Sequence, residues 1–230
     1  MKPGNVLFAY GFRPFFLLAG WFAAVAIPLW AWWFASGHTW AGGLATSQWH
    51  AHEMLYGFVT AAIAGFMLTA VPSWTGTRGF GGWPLVWLAL AWLAGRLVFG
   101  LAGLLPIWLV AAVELVFLPL LAALVAPPLV RSMNRNTPLL FVLAAMWIAD
   151  AVFLLALYRS DSLLAAQALQ FTLNLVLLLI TIIGGRIVPA FTANALRARG
   201  MDVRMRSGPW LERGVIAAMI AVLLVDLLVG

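Results

Sequence analysis

Apolar residues in this chain come in blocks of about 20, each long enough to cross a hydrocarbon core of about 30 Å as a helix. Read between charges and turn residues, the blocks predict helices near 15–35, 52–72, 83–103, 106–127, 138–158, 163–185 and 212–229. Gly37, Gly42 and Gly43 break the chain before the second block, and Gly76 to Gly82 before the third. Pro127, Pro128 and Pro138 flank the start of the fifth. No soluble domain fits between these breaks. The expected architecture is all-α: a polytopic transmembrane helix bundle of about seven spanning helices, forming a single transmembrane domain over residues 1–230. The first block, Phe15 to Phe34, is longer and richer in Trp than the core of a cleaved signal peptide, so it reads as a retained helix.

Composition agrees. Of 230 residues, 65% are hydrophobic and 9% charged, against about 25% charged in a soluble domain. So little charge cannot cover a water-facing surface, and lipid is the main solvent. The formal charge of +6 would suit nucleic acid only if the basic residues clustered on a folded, water-facing module. They lie instead in short connections between apolar blocks, so no nucleic-acid partner is expected.

Lys2, Arg13, Arg78, Arg131, Arg135, Arg186, Arg197, Arg199, Arg204, Arg206 and Arg213 fall at the amino terminus or in alternate connections, which puts them all on one side. Cytoplasmic connections are enriched in Lys and Arg, so that side, with the amino terminus, is assigned to the cytoplasm. Trp30, Trp32, Trp33, Trp40, Trp49 and Trp108 then lie near external ends, and Trp74, Trp83 and Trp210 near internal ends, where amphipathic indoles prefer to sit. The last segment, Gly214 to Gly230, is barely long enough to span and stops without a polar flank, so the architecture is expected to continue beyond residue 230.

The chain has no cysteine, which excludes disulfides and thiolate ligation and leaves His, Met, carboxylate or backbone for any metal. A charge at the bilayer centre costs about 2.5–3.5 kcal/mol on insertion scales, so Arg96, Glu114, Asp150 and Asp226 each need a reason. Arg96 precedes the turn at Gly103 to Pro106 by about as much as Glu114 follows it, so the two are expected to pair across adjacent antiparallel helices. On the sixth helix Gln167, Gln170, Asn174 and Thr181 form one polar stripe, readable as interhelical hydrogen bonding or as the lining of a polar pocket.

The densest group of ligand-type side chains is Trp49-His50-Ala51-His52-Glu53-Met54, at the external mouth of the second helix. Imidazole ligates haem iron and copper, thioether suits Cu(I), and a carboxylate can orient an imidazole from behind. His50, His52, Glu53 and Met54 are the candidate metal ligands, with an interfacial hydrogen-bonded cap or a pH-sensitive gate as alternatives. At 100° per residue His50 shares a face with Met54, Gly57, Ala61 and Gly65, while His52 points nearly opposite. Either His50 sits in a distorted cap, or each imidazole serves a different centre. The small residues beneath His50 would admit a macrocycle or a neighbouring helix. Arg13 and Arg186, each beside Pro and Phe at a cytoplasmic end, could bind acidic groups such as haem propionates or could simply set topology.

These motifs add up to a likeness. Gly11-Phe12-Arg13-Pro14-Phe15-Phe16, then Trp49 to Met54 followed by Gly65-Phe66-Met67-Leu68-Thr69-Ala70-Val71-Pro72-Ser73-Trp74-Thr75-Gly76, and Gly184-Gly185-Arg186 with Pro189-Ala190-Phe191-Thr192 and Asn194 resemble the NnrS family of bacterial haem- and copper-containing membrane proteins. The likeness runs in order to about Arg199. It implies a multi-pass protein of the bacterial inner membrane that acts in nitric oxide metabolism or protects against nitrosative stress. It also implies haem and copper at the motif of His50, His52, Glu53 and Met54, without saying which residue binds which. Family members are roughly twice as long, and their later half, with further polar residues including histidine, has no counterpart here. A chain this short is expected to bind one cofactor, to use a partner subunit, or to continue in a missing carboxyl-terminal half.

The competing reading is a membrane transporter or channel lined by Gln167, Gln170, Asn174, Asp150 and the Arg96–Glu114 pair, with the histidines as gates. No nucleophile triad, phosphate-binding glycine loop or nucleotide fingerprint is present, which leaves hydrolase and kinase readings without support.

Overall fold

The computed structural model describes residues 6–37, 44–201 and 208–229. Lys2, Trp40, Gly42, Gly43, Arg204 and Arg206 lie outside them, as does His38. The described residues form seven helices: α1 Phe12–Ser36, α2 Thr46–Thr75, α3 Trp83–Gly100, α4 Ile107–Arg131, α5 Leu139–Tyr158, α6 Ser162–Ala198 and α7 Pro209–Val229. Six are long and apolar enough to cross a membrane. α7 opens on Glu212 and Arg213 and carries Asp226 near its end. The chain is thus a polytopic all-α membrane protein, as the block pattern predicts.

Two compact units can be told apart, Met1–Leu169 and Gln170–Gly230. In the first, α1 packs on α2, α3 on α4, and α4 on both α2 and α5. Phe15, Val71, Leu85, Leu121, Met146 and Phe153 are fully buried where these helices meet. In the second, Asn174 Nδ2 and Gln170 Nε2 on α6 donate to Asp226 Oδ2 on α7 at 2.8 and 3.3 Å. The polar stripe of α6 thereby ties down the one carboxylate that α7 carries into the apolar layer. Thr181 takes no part, since its hydroxyl donates to Leu177 O on its own helix.

Three expectations need correction. α2 begins at Thr46 rather than near residue 52, so both histidines lie inside a helix. α6 runs through Gly184, Gly185 and Pro189 to Ala198, which places Arg186 on a helix and not in a connection. Its 37 residues span about 55 Å at 1.5 Å per residue, well beyond the hydrocarbon, and a helix need not stop where the lipid does. Trp49 lies at the external end but is buried, edge-on to Trp33 at 5.7 Å, so it packs helices together and does not face an interface.

Two irregularities interrupt otherwise regular helices at the same level. Residues Glu53–Val59 of α2 are wound as a π-helix, and α4 is broken at Leu115 and Val116, directly after Glu114. Wide turns like the first are frequent at functional sites.

Candidate metal centre

Four helices bring one ionisable side chain or more to a common depth. His52 and Glu53 lie six and seven residues into α2, and Glu114 seven into α4. Asp150 lies eight before the end of α5 and Arg96 four before the end of α3. At 1.5 Å per residue this level is on the order of 10 Å inside the external ends of the helices.

Arg96 holds the group together. Its two terminal nitrogens donate separately, one to Glu53 Oε1 and one to Glu114 Oε1, as the rigid fork of a planar guanidinium allows. The expected Arg96–Glu114 pair is therefore present, with Glu53 joined to it. Close approach of α3 and α4 depends on Gly95: a Cβ there would stand 2.7 Å from Glu114 Oε2.

His52 is completely buried. Phe99 stacks on it at 3.8 Å and 22°, and Phe153 at 4.8 Å and 21°. Its Nδ1 lies 3.3 Å from Glu53 Oε1 and its Nε2 3.1 Å from Asp150 Oδ1. The wide-turn segment is itself anchored: Tyr56 donates to Met146 O of α5 at 3.0 Å, and Trp92 of α3 donates to Gly57 O at 3.0 Å.

Charge in this cluster does not balance. Glu53, Glu114 and Asp150 against Arg96 leave a formal −2 when the carboxylates are ionised and the imidazole is neutral. An uncompensated buried charge costs several kcal/mol. Glu114 Oε2 is buried with no hydrogen-bond partner, and Glu114 lines a cavity of about 10 Å³ together with Asp150, Arg96, Tyr56 and Thr60. That is room for one water-sized body. One donor atom each from His52, Glu114 and Asp150 lie within 4.8 Å of one another. A 3.1 Å separation of Nε2 and Oδ1 is also the edge expected between two ligands with bonds of about 2 Å to one ion. Glu53 then stands behind His52 as the carboxylate that orients the ring.

The other predicted residues lie elsewhere. His50 stacks on Trp30 of α1 at 4.0 Å and 23°, and its Nδ1 is buried without a partner. Met54 is half-buried, away from any polar contact among the described residues. The motif is thus divided: His52 and Glu53 join the cluster, while His50 faces α1. Gly57 and Gly65 beneath His50 serve helix packing, since a Cβ on them would meet the Phe22 ring at 2.4 Å and the Phe16 ring at 3.0 Å. Arg13 donates to Val6 O at 2.8 Å and lies 5.0 Å over the Tyr10 ring. It is on α1 with Trp30 but about 25 Å away along the axis at 1.5 Å per residue, so it sits at the opposite membrane face from His50. Arg186 is exposed on α6, in the second unit.

The donor atoms of His52, Glu114 and Asp150 are close enough that the group could hold one metal ion, and nitrogen and oxygen donors without sulfur suit Cu(II) better than Cu(I). A haem macrocycle does not fit there: the ring of His52 is enclosed by Phe99, Phe153 and Tyr56, and the adjoining cavity is far too small. A larger hollow of about 340 Å³ at the external end, lined by Leu44, Gln48, Ile107, Tyr158 and Asp161 among others, has no imidazole in its lining among the described residues.

Asp150 as the partner of His52, and Glu53 as the second arm of the Arg96 fork, were not foreseen. Counting residues from the helix ends would have put all five side chains on one level. The wide turn left no mark in the residue pattern. Compared with known proteins, the family model described as "NnrS: NnrS protein" matches residues 6–230. No curated protein and no solved structure matches.

Proposed function

The chain belongs to the NnrS family of membrane proteins linked to nitric oxide, and from that premise we propose that it binds copper at His52, Asp150 and Glu114 and haem at His50, in the bacterial inner membrane, as part of nitric oxide metabolism or protection against nitrosative stress. The observation that carries the reading is the buried deficit of positive charge beside the unpartnered Glu114 Oε2. A divalent cation cancels the formal −2 and gives that oxygen a partner.

Copper supplies a redox-active centre able to bind a small ligand such as nitric oxide. Phe99 and Phe153 keep bulk water from it, Glu53 fixes the His52 ring, and Arg96 holds Glu53 and Glu114 in place. Nitric oxide is small and uncharged, so it can reach this depth through lipid without a polar channel. Haem belongs at His50 because that imidazole alone among the described histidines has no polar contact to a protein side chain. A polar pathway receives less support: Gln170 and Asn174 are engaged with Asp226, and Arg96, Glu114 and Asp150 belong to the cluster.

The test is metal analysis and optical spectroscopy of protein purified after expression with copper and haem both supplied. Copper should be present in the wild type and in His50→Ala but lost in His52→Ala, and a Soret band should show the reverse dependence. Wild-type protein with neither copper nor a Soret band would end the proposal.

A further inference from the structure

At the cytoplasmic end of the first unit, the segment after α2 and the end of α4 enclose a groove of about 460 Å³. Arg78 and Arg131 both line it, with the hydroxyl residues Thr77 and Ser132 beside them and Phe80, Pro127 and Pro128 as an apolar floor. Its walls are fixed from two sides. Asn134 Nδ2 donates to Trp74 O at 2.9 Å, joining the end of α4 to the end of α2, and Gly82 N donates to Phe8 O at 2.9 Å.

Neither Arg78 nor Arg131 joins an ion pair or side-chain hydrogen bond among the described residues, and both are exposed. No carboxylate competes for them. The cytoplasmic segments of this unit, residues 1–13, 76–82 and 132–138, contain no Asp or Glu. Three of the four acidic residues of the unit belong to the buried cluster, and the fourth, Asp161, lies at the external end. Topology alone asks only for basic residues on this side; it does not ask that two guanidiniums share one groove with an apolar floor at the membrane boundary. Basic pockets between helices at this level recognise anionic lipid headgroups.

We propose that this groove is a binding site for one anionic phospholipid of the cytoplasmic leaflet. Arg78 and Arg131 hold its phosphate, where guanidinium can donate two parallel hydrogen bonds. Thr77 and Ser132, whose hydroxyl hydrogens go to Thr75 Oγ1 and Pro128 O, offer lone pairs to headgroup hydroxyls, and the acyl chains lie against Phe80, Pro127 and Pro128. The proposal is independent of the metal centre.

Native mass spectrometry of the full chain in detergent, with phosphatidylglycerol and phosphatidylcholine of identical acyl chains added together, tests it. The wild type should retain phosphatidylglycerol in preference by on the order of tenfold. Arg78→Gln and Arg131→Gln should each reduce that preference and their combination abolish it, while Arg135→Gln, which removes an equal charge outside the groove, should leave it intact. Arg78→Lys with Arg131→Lys keeps the topology-setting charge and should still lose several-fold, because lysine cannot form the paired hydrogen bonds. Equal retention of the two lipids, or equal loss in Arg135→Gln, would overturn the site. So would full displacement of the lipid by millimolar inorganic phosphate, which would make the groove a simple anion site.

Discussion

Nε2 of His52 lies 3.1 Å from Oδ1 of Asp150, across the contact of two helices whose residues are 98 apart in sequence. If this edge is where a copper ion enters, Asp150→Asn removes a charged ligand and should abolish copper retention after chelator washing. Glu53→Gln leaves the three ligands in place but loosens the ring and removes one charge from the Arg96 fork, and should weaken copper affinity by about 10–100-fold. Competition against a chromogenic copper chelator separates the two. Equal affinity in wild type and Asp150→Asn would place the metal elsewhere.

Arg96 is the one Lys or Arg paired with Glu53 and Glu114 among the described residues. Arg96→Leu leaves both buried without it and should destabilise the bundle by about 3–5 kcal/mol. Arg96→Lys should recover only part of this, because an ammonium does not reach both oxygens in a fork. Unfolding by denaturant in mild detergent gives the comparison.

Packing of α1 on α2 rests on residues without side-chain bulk. In Gly57→Ala the new methyl would meet the Phe22 ring, which is itself held edge-on against Trp92 at 5.4 Å. A cost of about 1–3 kcal/mol is expected. Gly20→Ala, where no atom lies within 4 Å of the new carbon, should be neutral or slightly stabilising. Thermal unfolding of the two variants should differ clearly in midpoint.

Asp226→Ala removes the acceptor shared by Gln170 and Asn174. Hydrogen bonds between membrane helices contribute about 0.6–1.7 kcal/mol, so a loss of that size is expected in the second unit. Copper content should not change. A fall in bound copper to the level of His52→Ala would show that the ion is not confined to the cluster in the first unit.

Membrane architecture was legible because lipid imposes it: an apolar block of about 20 residues has few alternatives to a spanning helix. The Arg96–Glu114 pair was legible for a related reason, since a charge in hydrocarbon must find its complement on a neighbouring helix. His52 and Glu53 were recognisable as chemistry-bearing residues. The ring's true environment was not, because Asp150 comes from a helix that is not adjacent in sequence, and a single chain carries no record of which distant helices touch. Treating residues 50–54 as one ligand group also assumed that closeness in sequence means closeness of side chains. On a helix it does not, and the two imidazoles take up different surroundings.

The wide turn over Glu53–Val59 sets a phase relation between the two ends of α2. Each of its hydrogen-bonded turns holds one residue more than an ordinary α-turn, so deleting one residue within it should restore ordinary winding and leave the helix on either side nearly in phase. His50 would still face Trp30, whereas the same deletion in the regular winding beyond it would rotate one end of α2 by about 100° against the other. The wide turn is therefore the stretch of α2 where the loss of one residue should not turn its external end away from α1.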